Sequence, residues 1–254
     1  MTEYIDTHAH YDDERYDGDR DELLERLHKG GLRKIINIGC NLERTKMSAQ
    51  LADRFGFVYA AAGIHPQDVS DLPKDYLDTL SAYAKMSKTV AIGEIGLEYY
   101  GEYADKAVQE KVFRAQIELA RSFNLPIVIH SRDAAEDTIN ILKHYAPLKG
   151  QMHCFSYSKE SAEIFLKMGL HISFTGVLTF KNARRAIETL EIVPPERLLT
   201  ETDCPYMSPE PVRGTRNDSG NIPHIIKKIA EIKGETYDKI AEITTENAEG
   251  LFWG

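Results

Sequence analysis

Short apolar segments alternate with longer amphipathic stretches along the chain. The apolar segments, rich in β-branched residues, predict eight strands at residues 4–8, 34–38, 57–63, 90–94, 126–130, 150–153, 171–174 and 198–202. Between them, apolar residues recur at helical spacing. This spacing predicts helices at residues 19–29, 43–54, 76–85, 105–123, 134–144, 159–167 and 181–190, and two more at 222–233 and 237–251 after the eighth strand.

Strands that alternate with helices indicate βαβ units and a parallel α/β sheet. The chain has 254 residues, close to the ~250 of one (β/α)₈ barrel. Periodicity does not separate a closed barrel from an open doubly wound sheet, but eight units favour the barrel. Because no linker or charge block divides the chain, we predict a single TIM-barrel domain over residues 1–254.

Composition is that of an ordinary globular protein, with 42% hydrophobic and 28% charged residues. A chain of this length buries a large core without a structural metal, so we expect any metal to serve chemistry. Three cysteines without paired spacing do not suggest disulfides. The longest apolar run, residues 57–62, is far shorter than the roughly 18 residues that span a bilayer. We therefore expect a cytoplasmic protein with no membrane partner.

The formal net charge of −9 counts against one class of nucleic-acid-binding protein. Proteins that neutralise many phosphates do so with numerous lysines and arginines. An enzyme that holds a single phosphodiester through metal ions needs no such surface, and its own carboxylate ligands add to the negative charge. Composition is therefore neutral to mildly unfavourable for DNA as a substrate.

Ionisable side chains end several of the predicted strands. In a barrel these strand ends meet at the C-terminal mouth, and an ionisable group after an apolar strand is costly unless it is paired or metal-bound. Imidazole and carboxylate groups are ligands for divalent metals. The sequence therefore predicts a metal site formed by His8, His10, Glu94, His130, His153 and Asp203.

Three residues of this region are candidates for catalysis. Glu94 lies between glycines that allow close backbone approach, and its two oxygens can bridge two cations. Asp203 could ligate one metal or take a proton from water, although Glu201 has the same strand parity and parity does not decide between them. His65, at the end of the third strand, could hold a substrate phosphate or act as an acid. A structural loop histidine is the alternative.

Further rim residues are candidates for substrate binding. Arg132, Arg213 and Arg216 could contact phosphates in bidentate fashion, although loop arginines are often merely solvated. Tyr99 and Tyr100 could stack on bases, while packing at the rim is an equally good interpretation. These arginines favour an anionic substrate only mildly.

A series of motifs runs from residue 5 to the C-terminus: IDTHAH (5–10), GIHP (63–66), GEIGL (93–97), PIVIHSR (126–132), HCFS (153–156), ETDCP (201–205), RGTRN (213–217) and TENAEGLF (245–252). In identity and order, this series resembles the motifs of the TatD-family deoxyribonucleases. Several of these motifs are individually specific. Because they are spread from residue 5 to residue 252, the resemblance covers nearly the whole chain.

The resemblance implies an amidohydrolase-superfamily barrel that hydrolyses DNA phosphodiesters, often from a 3′ end, with single strands or 3′ ends as partners. It carries the metal-site role to the six predicted ligands and a substrate or catalytic role to His65. We expect two divalent cations bridged by Glu94. His8 and His10 would hold one of them near Asp203, and His130 and His153 would hold the other. The family implies Mg²⁺, whereas four imidazoles favour Zn²⁺ or Mn²⁺.

Three positions depart from the family pattern. Glu98 stands where the family usually has Asp, Tyr157 where it has Gly, and Asp218-Ser219 where it has Glu-Pro. None is itself a proposed ligand, and we expect none of them to contact one. We therefore expect these departures to alter substrate preference and loop geometry rather than metal chemistry.

Two other functions compete with the nuclease. The first is a hydrolase of an amide, lactone or other ester on the same two-metal barrel, since fold does not fix function. The second is a nucleic-acid-binding protein with a vestigial site, against which the presence of all six ligands argues. The sequence leaves the oligomeric state open, with a monomer favoured.

Overall fold

The computed structural model describes residues 2–254 and contains eight strands and nine α-helices in that part of the chain. The strands are β1 (Tyr4–Ala9), β2 (Leu32–Ile38), β3 (Val58–Ala62), β4 (Thr89–Glu98), β5 (Ile127–Arg132), β6 (Gly150–Met152), β7 (His171–Phe174) and β8 (Leu198–Thr200). The helices are α1 (Arg20–Lys29), α2 (Leu42–Arg54), α3 (Tyr76–Ala84), α4 (Lys106–Ser122), α5 (Ala135–Leu142), α6 (Lys159–Lys167), α7 (Arg184–Ile192), α8 (Ile222–Lys233) and α9 (Tyr237–Phe252).

The strands form one parallel sheet in the order β1 to β8, and this sheet closes on itself. Closure is made where Ala9, at the end of β1, forms a parallel bridge with Cys204 beyond β8, and the His10 N–H donates to the Cys204 carbonyl over 2.8 Å. The prediction of a (β/α)₈ barrel is confirmed. Across residues 2–254, no helix combines the length and apolarity that crossing a bilayer requires.

The main core lies between the strands and the surrounding helices. Helix α8 shows how the sequence builds it: Ile222, Ile225, Ile226 and Ile229 are fully buried and share one helical face through their i, i+3, i+4, i+7 spacing. Side-chain caps fix where several helices begin, as where the Asn41 side chain accepts a hydrogen bond from the Arg44 N–H at the start of α2. The polar residues of the mouth lie at the C-terminal ends of the strands and in the loops that follow them.

Strands β4 and β5 extend beyond their predicted ends. Glu94 and His130 were expected to close their strands, and this is wrong: β4 continues to Glu98 and β5 to Arg132. The two strands stay paired because Gly96 lies opposite His130, and a Cβ atom at Gly96 would lie 1.8 Å from the His130 carbonyl oxygen. Only glycine allows this approach, so the paired strands carry their polar side chains deeper into the mouth.

Candidate metal centre

Glu94 lies at the centre of the barrel mouth, buried and surrounded by imidazoles. One carboxylate oxygen, Oε2, lies 3.4 Å from His8 Nε2. The other, Oε1, lies 2.8 Å from His130 Nδ1 and 3.5 Å from His153 Nε2. The two oxygens therefore face different histidines, which is the arrangement expected of a carboxylate that can bridge two cations.

Asp203 lies beside the histidines of the first strand. His10 Nε2 is 3.4 Å and His8 Nε2 is 3.7 Å from Asp203 Oδ1, and the two Nε2 atoms are 3.0 Å apart. The Asp203 N–H donates to the His8 carbonyl over 2.9 Å, which fixes the carboxylate beside β1. The structure thus brings all six predicted ligands together around Glu94, with His153 also beside His8 and Asp203.

Glu201, the alternative to Asp203, lies behind His153. Its carboxylate comes close enough to His8 and His153 to form a three-residue metal cluster. However, Oε1 accepts from the Cys154 N–H over 2.6 Å and Oε2 from the Gln151 amide over 3.2 Å. Oε1 also lies 2.9 Å from His153 Nδ1, as an ion pair rather than a well-aligned hydrogen bond. We therefore interpret Glu201 as a group that orients His153.

Glu98 is the residue that sequence reasoning missed. Its buried Oε2 lies 3.2 Å from His130 Nε2, and its Oε1 accepts from the Tyr100 N–H over 2.8 Å. The expectation that no departure from the family pattern contacts a proposed ligand is therefore wrong. Strand parity places Glu98 on the face of Glu94 only when β4 extends to residue 98, and the predicted strand ended at Glu94.

The other two departures lie behind the site. The Tyr157 hydroxyl is 2.9 Å from Ser131 Oγ and accepts from the Ala134 N–H over 3.1 Å, which ties the loop after β6 to the end of β5. Ser219 donates to Asp6 Oδ2 over 2.6 Å, within a buried network below the first-strand histidines. Both stabilise local structure and do not reach the ligands directly.

His65 also faces the centre. Its Nε2 lies 3.7 Å from Glu94 Oε1, and its ring meets that of His130 edge to face with centroids 4.4 Å apart. The Gln67 N–H donates to His65 Nδ1 over 3.2 Å. Burial, together with the nearby charge of His130, lowers the pKa of His65 to about 3. The ring is therefore neutral at neutral pH, and Nε2 carries the proton that faces the mouth.

Charges in the cluster are strongly coupled. Burial disfavours the Glu94 carboxylate, but the charges of His153 and His8 hold its pKa well below the usual value. Burial lowers the pKa of His153, yet Glu201 and Glu94 together raise it to about 9. Burial, and then the charge of His153, lower the pKa of His8. Buried carboxylates in this mouth are thus stabilised by positive charge, which protonated imidazoles or cations can supply.

The donor set fits divalent cations. Each ring presents one nitrogen to the centre, and three are held from behind: His10 Nδ1 by the Ile38 carbonyl (3.3 Å), His130 by Glu98 and His153 by Glu201. Such outer contacts are typical of metal-ligating histidines. Nitrogen and carboxylate donors suit Zn²⁺ or Mn²⁺, and Mg²⁺ through the carboxylates. The buried histidine and carboxylate clusters are therefore consistent with divalent metal binding.

The three predicted substrate arginines lie at the rim and not in the cluster. Arg132 packs over the Tyr100 ring at 4.0 Å and Arg213 over the Phe180 ring at 4.1 Å. Arg216 binds Asp19 with two nitrogens, at 2.6 and 2.8 Å. The guanidinium of Arg216 is thus already engaged by a carboxylate, whereas Arg132 and Arg213 make no ion pair within residues 2–254.

The two candidate stacking tyrosines have different environments. The Tyr99 hydroxyl donates to Asp137 over 2.9 Å and Lys106 covers its ring at 3.9 Å, so Tyr99 packs into the rim. Tyr100 is 59% exposed. Only Tyr100 therefore offers an open ring face to a ligand.

Comparison with known proteins gives consistent matches over nearly the whole chain. The model of the family described as TatD related DNase matches residues 5–253. The metal-dependent hydrolase YabD of Bacillus subtilis, whose activity is uncharacterized, is 42% identical over 250 residues, 98% of each chain. The 3′-5′ ssDNA/RNA exonuclease TatD of Citrobacter rodentium is 33% identical over 242 residues, 92% of each chain. The structure of YjjV, a TatD homologue from Escherichia coli, superposes with a TM-score of 0.93 at 30% identity, covering 99% of this chain and 98% of that one.

Proposed function

Since this chain belongs to the TatD-related DNase family of metal-dependent hydrolases, as its motifs predicted, we propose that it hydrolyses DNA phosphodiester bonds. The observation that carries the proposal is the position of Glu94, whose two oxygens face separate histidines within one buried cluster. The relative named as a 3′-5′ ssDNA/RNA exonuclease supports action from the 3′ end. The substrate would be a single strand or a 3′ terminus.

In this proposal the six ligands divide into two groups around Glu94. His8 and His10 with Asp203 would hold one divalent cation, and His130 with His153 the other. The bound cations would supply Lewis acidity, which polarises the phosphoryl oxygens and makes water a better nucleophile at neutral pH. Mg²⁺ follows from the family, while Zn²⁺ and Mn²⁺ follow from the imidazoles.

The chain's own side chains would orient the substrate and move the proton. Asp203 Oδ1 faces the centre beside His10 and would accept a proton from the attacking water. His65 accepts at Nδ1 from the Gln67 N–H, so the neutral ring carries its proton on Nε2. That N–H points toward the Glu94 side of the mouth and would donate to a phosphoryl oxygen. We thus favour His65 as a substrate-binding donor.

The test is a direct comparison of substrates on one metal-loaded preparation. We expect kcat/KM for a 3′-labelled single-stranded oligonucleotide to exceed, by at least tenfold, that for a dihydroorotate-like cyclic amide or a simple lactone. Charge shared among several phosphoryl oxygens is what two adjacent cations stabilise best. The variant Glu94→Gln, prepared in the same way, is the control for contaminating nuclease and should lose this activity.

Two outcomes would contradict the proposal. If the amide or lactone is preferred tenfold or more, the protein is a different hydrolase on the same barrel. If the oligonucleotide binds but no substrate turns over with Mg²⁺, Mn²⁺ or Zn²⁺, the protein is a nucleic-acid-binding protein with a vestigial site.

A further inference from the structure

Two exposed tyrosines at the barrel mouth each carry an arginine over one ring face. Tyr100 is 59% exposed, and the guanidinium carbon of Arg132 lies 4.0 Å from its ring centroid. Tyr206 is 47% exposed, and the guanidinium carbon of Arg15 lies 4.2 Å from its ring centroid. We call these two residue pairs the rim stacks.

The rim stacks lie on opposite sides of the metal centre. Tyr100 follows β4 and Arg132 ends β5, whereas Tyr206 follows β8 and Arg15 follows β1. In a closed ring with strand order β1 to β8, the β4–β5 and β8–β1 boundaries are diametrically opposed. Five of the six proposed ligands come from these same two sides, and His153 follows β6. A substrate bound at the cations would therefore have one rim stack on each side.

The two rim stacks are built differently. Arg15 is held by two hydrogen bonds to Asp13, of 2.8 and 3.0 Å, which fix its guanidinium over Tyr206 and offset its charge. Arg132 makes no ion pair within residues 2–254, so the Tyr100 stack carries a net positive charge. The Tyr206 ring therefore lies beside a guanidinium that is fixed and neutralised by Asp13. The Tyr100 ring lies beside a guanidinium that a phosphate can approach.

The exposed fractions of Tyr100 (59%) and Tyr206 (47%) leave ring surface accessible beside each arginine. A nucleobase can stack on such a face whatever its identity, and an arginine beside the ring adds attraction for the backbone. Bases in a duplex have both faces covered by their neighbours, whereas a single strand offers them freely. The chain has a net charge of −9, which does not attract a nucleic acid. Base stacking and the adjacent arginine would provide that attraction locally.

We propose that Tyr100 and Tyr206 are base-stacking platforms for a single-stranded oligonucleotide, one for the base on each side of the scissile phosphodiester. This inference rests on the proposed function and deepens it, because it assigns the binding of the terminal and penultimate nucleotides to named side chains. Stacking on the two rings would provide affinity for the oligonucleotide, whereas the metal ligands would hold the cations that act on the phosphodiester.

The kinetic test compares Tyr100→Ala and Tyr206→Ala with the parent on a single-stranded oligonucleotide. We expect each variant to raise KM roughly tenfold, as loss of one stacked base does, with kcat changed less than twofold. Tyr100→Phe and Tyr206→Phe keep the ring and should restore the parent KM. Tyr103→Ala is the matched control, since Tyr103 lies on the same loop as Tyr100 and is 48% exposed but has no arginine over its ring within residues 2–254.

Abasic substrates assign each platform to one side of the scissile bond. An oligonucleotide that lacks its 3′-terminal base, and another that lacks the penultimate base, should each bind the parent more weakly. Each tyrosine variant should be insensitive to one of these deletions and remain sensitive to the other. If both variants respond to both deletions as the parent does, the platforms are not where we place them.

Binding is also measured without turnover, to separate this inference from the proposed function. A single strand with 2-aminopurine at its last two positions and hydrolysis-resistant phosphorothioate linkages is titrated into the metal-loaded parent. Stacking should quench the fluorescence, and Tyr100→Ala or Tyr206→Ala should weaken the quenching. If the parent cleaves oligonucleotides but the tyrosine variants match it in KM and quenching, the inference is wrong and the proposed function stands. If quenching depends on the tyrosines but no cleavage occurs, the proposed function is wrong and the platforms stand.

Discussion

The histidines of the metal centre differ in what holds each ring from outside. His153 is backed by the Glu201 carboxylate, His130 by Glu98, and His10 by the Ile38 carbonyl. Such contacts set which nitrogen faces the metal and make it a better ligand. Among residues 2–254, buried His8 Nδ1 has no hydrogen-bond partner, so this ring is held by packing, with the His153 ring stacked at a centroid distance of 3.6 Å.

Glu98 is the most informative residue to change. Glu98→Ala removes the acceptor of His130 Nε2, and we expect the affinity for the second cation to fall about 10- to 100-fold. Glu98→Gln keeps an acceptor oxygen without the charge and should lose less. Titration of the metal-free protein with Mn²⁺, followed by calorimetry, measures both affinities.

The matched control is Glu118→Gln, which changes an exposed carboxylate on α4 whose one ion pair within the described residues is with Arg121. It should leave metal affinity unchanged. If Glu98→Ala binds two equivalents of Mn²⁺ as tightly as the parent, Glu98 does not support His130 and its contact is incidental.

At the level of elements, β4 is the strand that organises the site. Glu94, Gly96 and Glu98 share one face of β4 because side chains alternate along a strand. The carboxylates on either side of Gly96 hold His130 between them, with Glu94 at Nδ1 and Glu98 at Nε2. Gly96 itself has φ 151° and permits the approach of β5.

Gly96→Ala should therefore damage both fold and site. The added Cβ would lie 1.8 Å from the His130 carbonyl oxygen, against backbone that can yield only by separating β4 from β5. Overpacking and backbone strain together should lower the free energy of unfolding by about 3 kcal/mol. Urea denaturation of the metal-free protein measures this.

Gly18→Ala provides the control, since, apart from its chain neighbours, no heavy atom of the described part of the chain lies within 4 Å of a Cβ placed there. Its free energy of unfolding should stay within about 0.5 kcal/mol of the parent. Equal stability of the two variants would mean that β4 and β5 can separate at Gly96 without cost, contrary to our account.

At the scale of the whole molecule, the sequence predicted the barrel and the ligands for the same reason. Eight apolar strands that alternate with helices close into a ring, and closure brings polar strand ends together wherever they occur in the chain. Glu98 was missed because the predicted β4 stopped at Glu94. The true strand length depends on pairing with β5, which a local pattern does not report.

Contacts at the rim were the least predictable. Arg216 was a candidate phosphate ligand, but it is bound by Asp19 in a loop 197 residues earlier in the chain. Nothing local to the RGTRN motif indicates that partner, because the contact exists only once the β8–β1 seam has closed. Arg132, by contrast, ends β5 and Tyr100 closely follows the end of β4, so the pairing of Glu98 with Arg132 in the sheet brings them together.

We propose that Glu94 would bridge two divalent cations in one cluster, and the number of ions bound per chain measures this. The protein is stripped with a chelator, equilibrated with Mn²⁺ by dialysis, and analysed for metal per chain, alongside Glu94→Gln. We predict two Mn²⁺ per chain in the parent and at most one in the variant, whose amide cannot bridge. A parent that binds no Mn²⁺ more tightly than millimolar, or a variant that still holds two ions, would contradict the account.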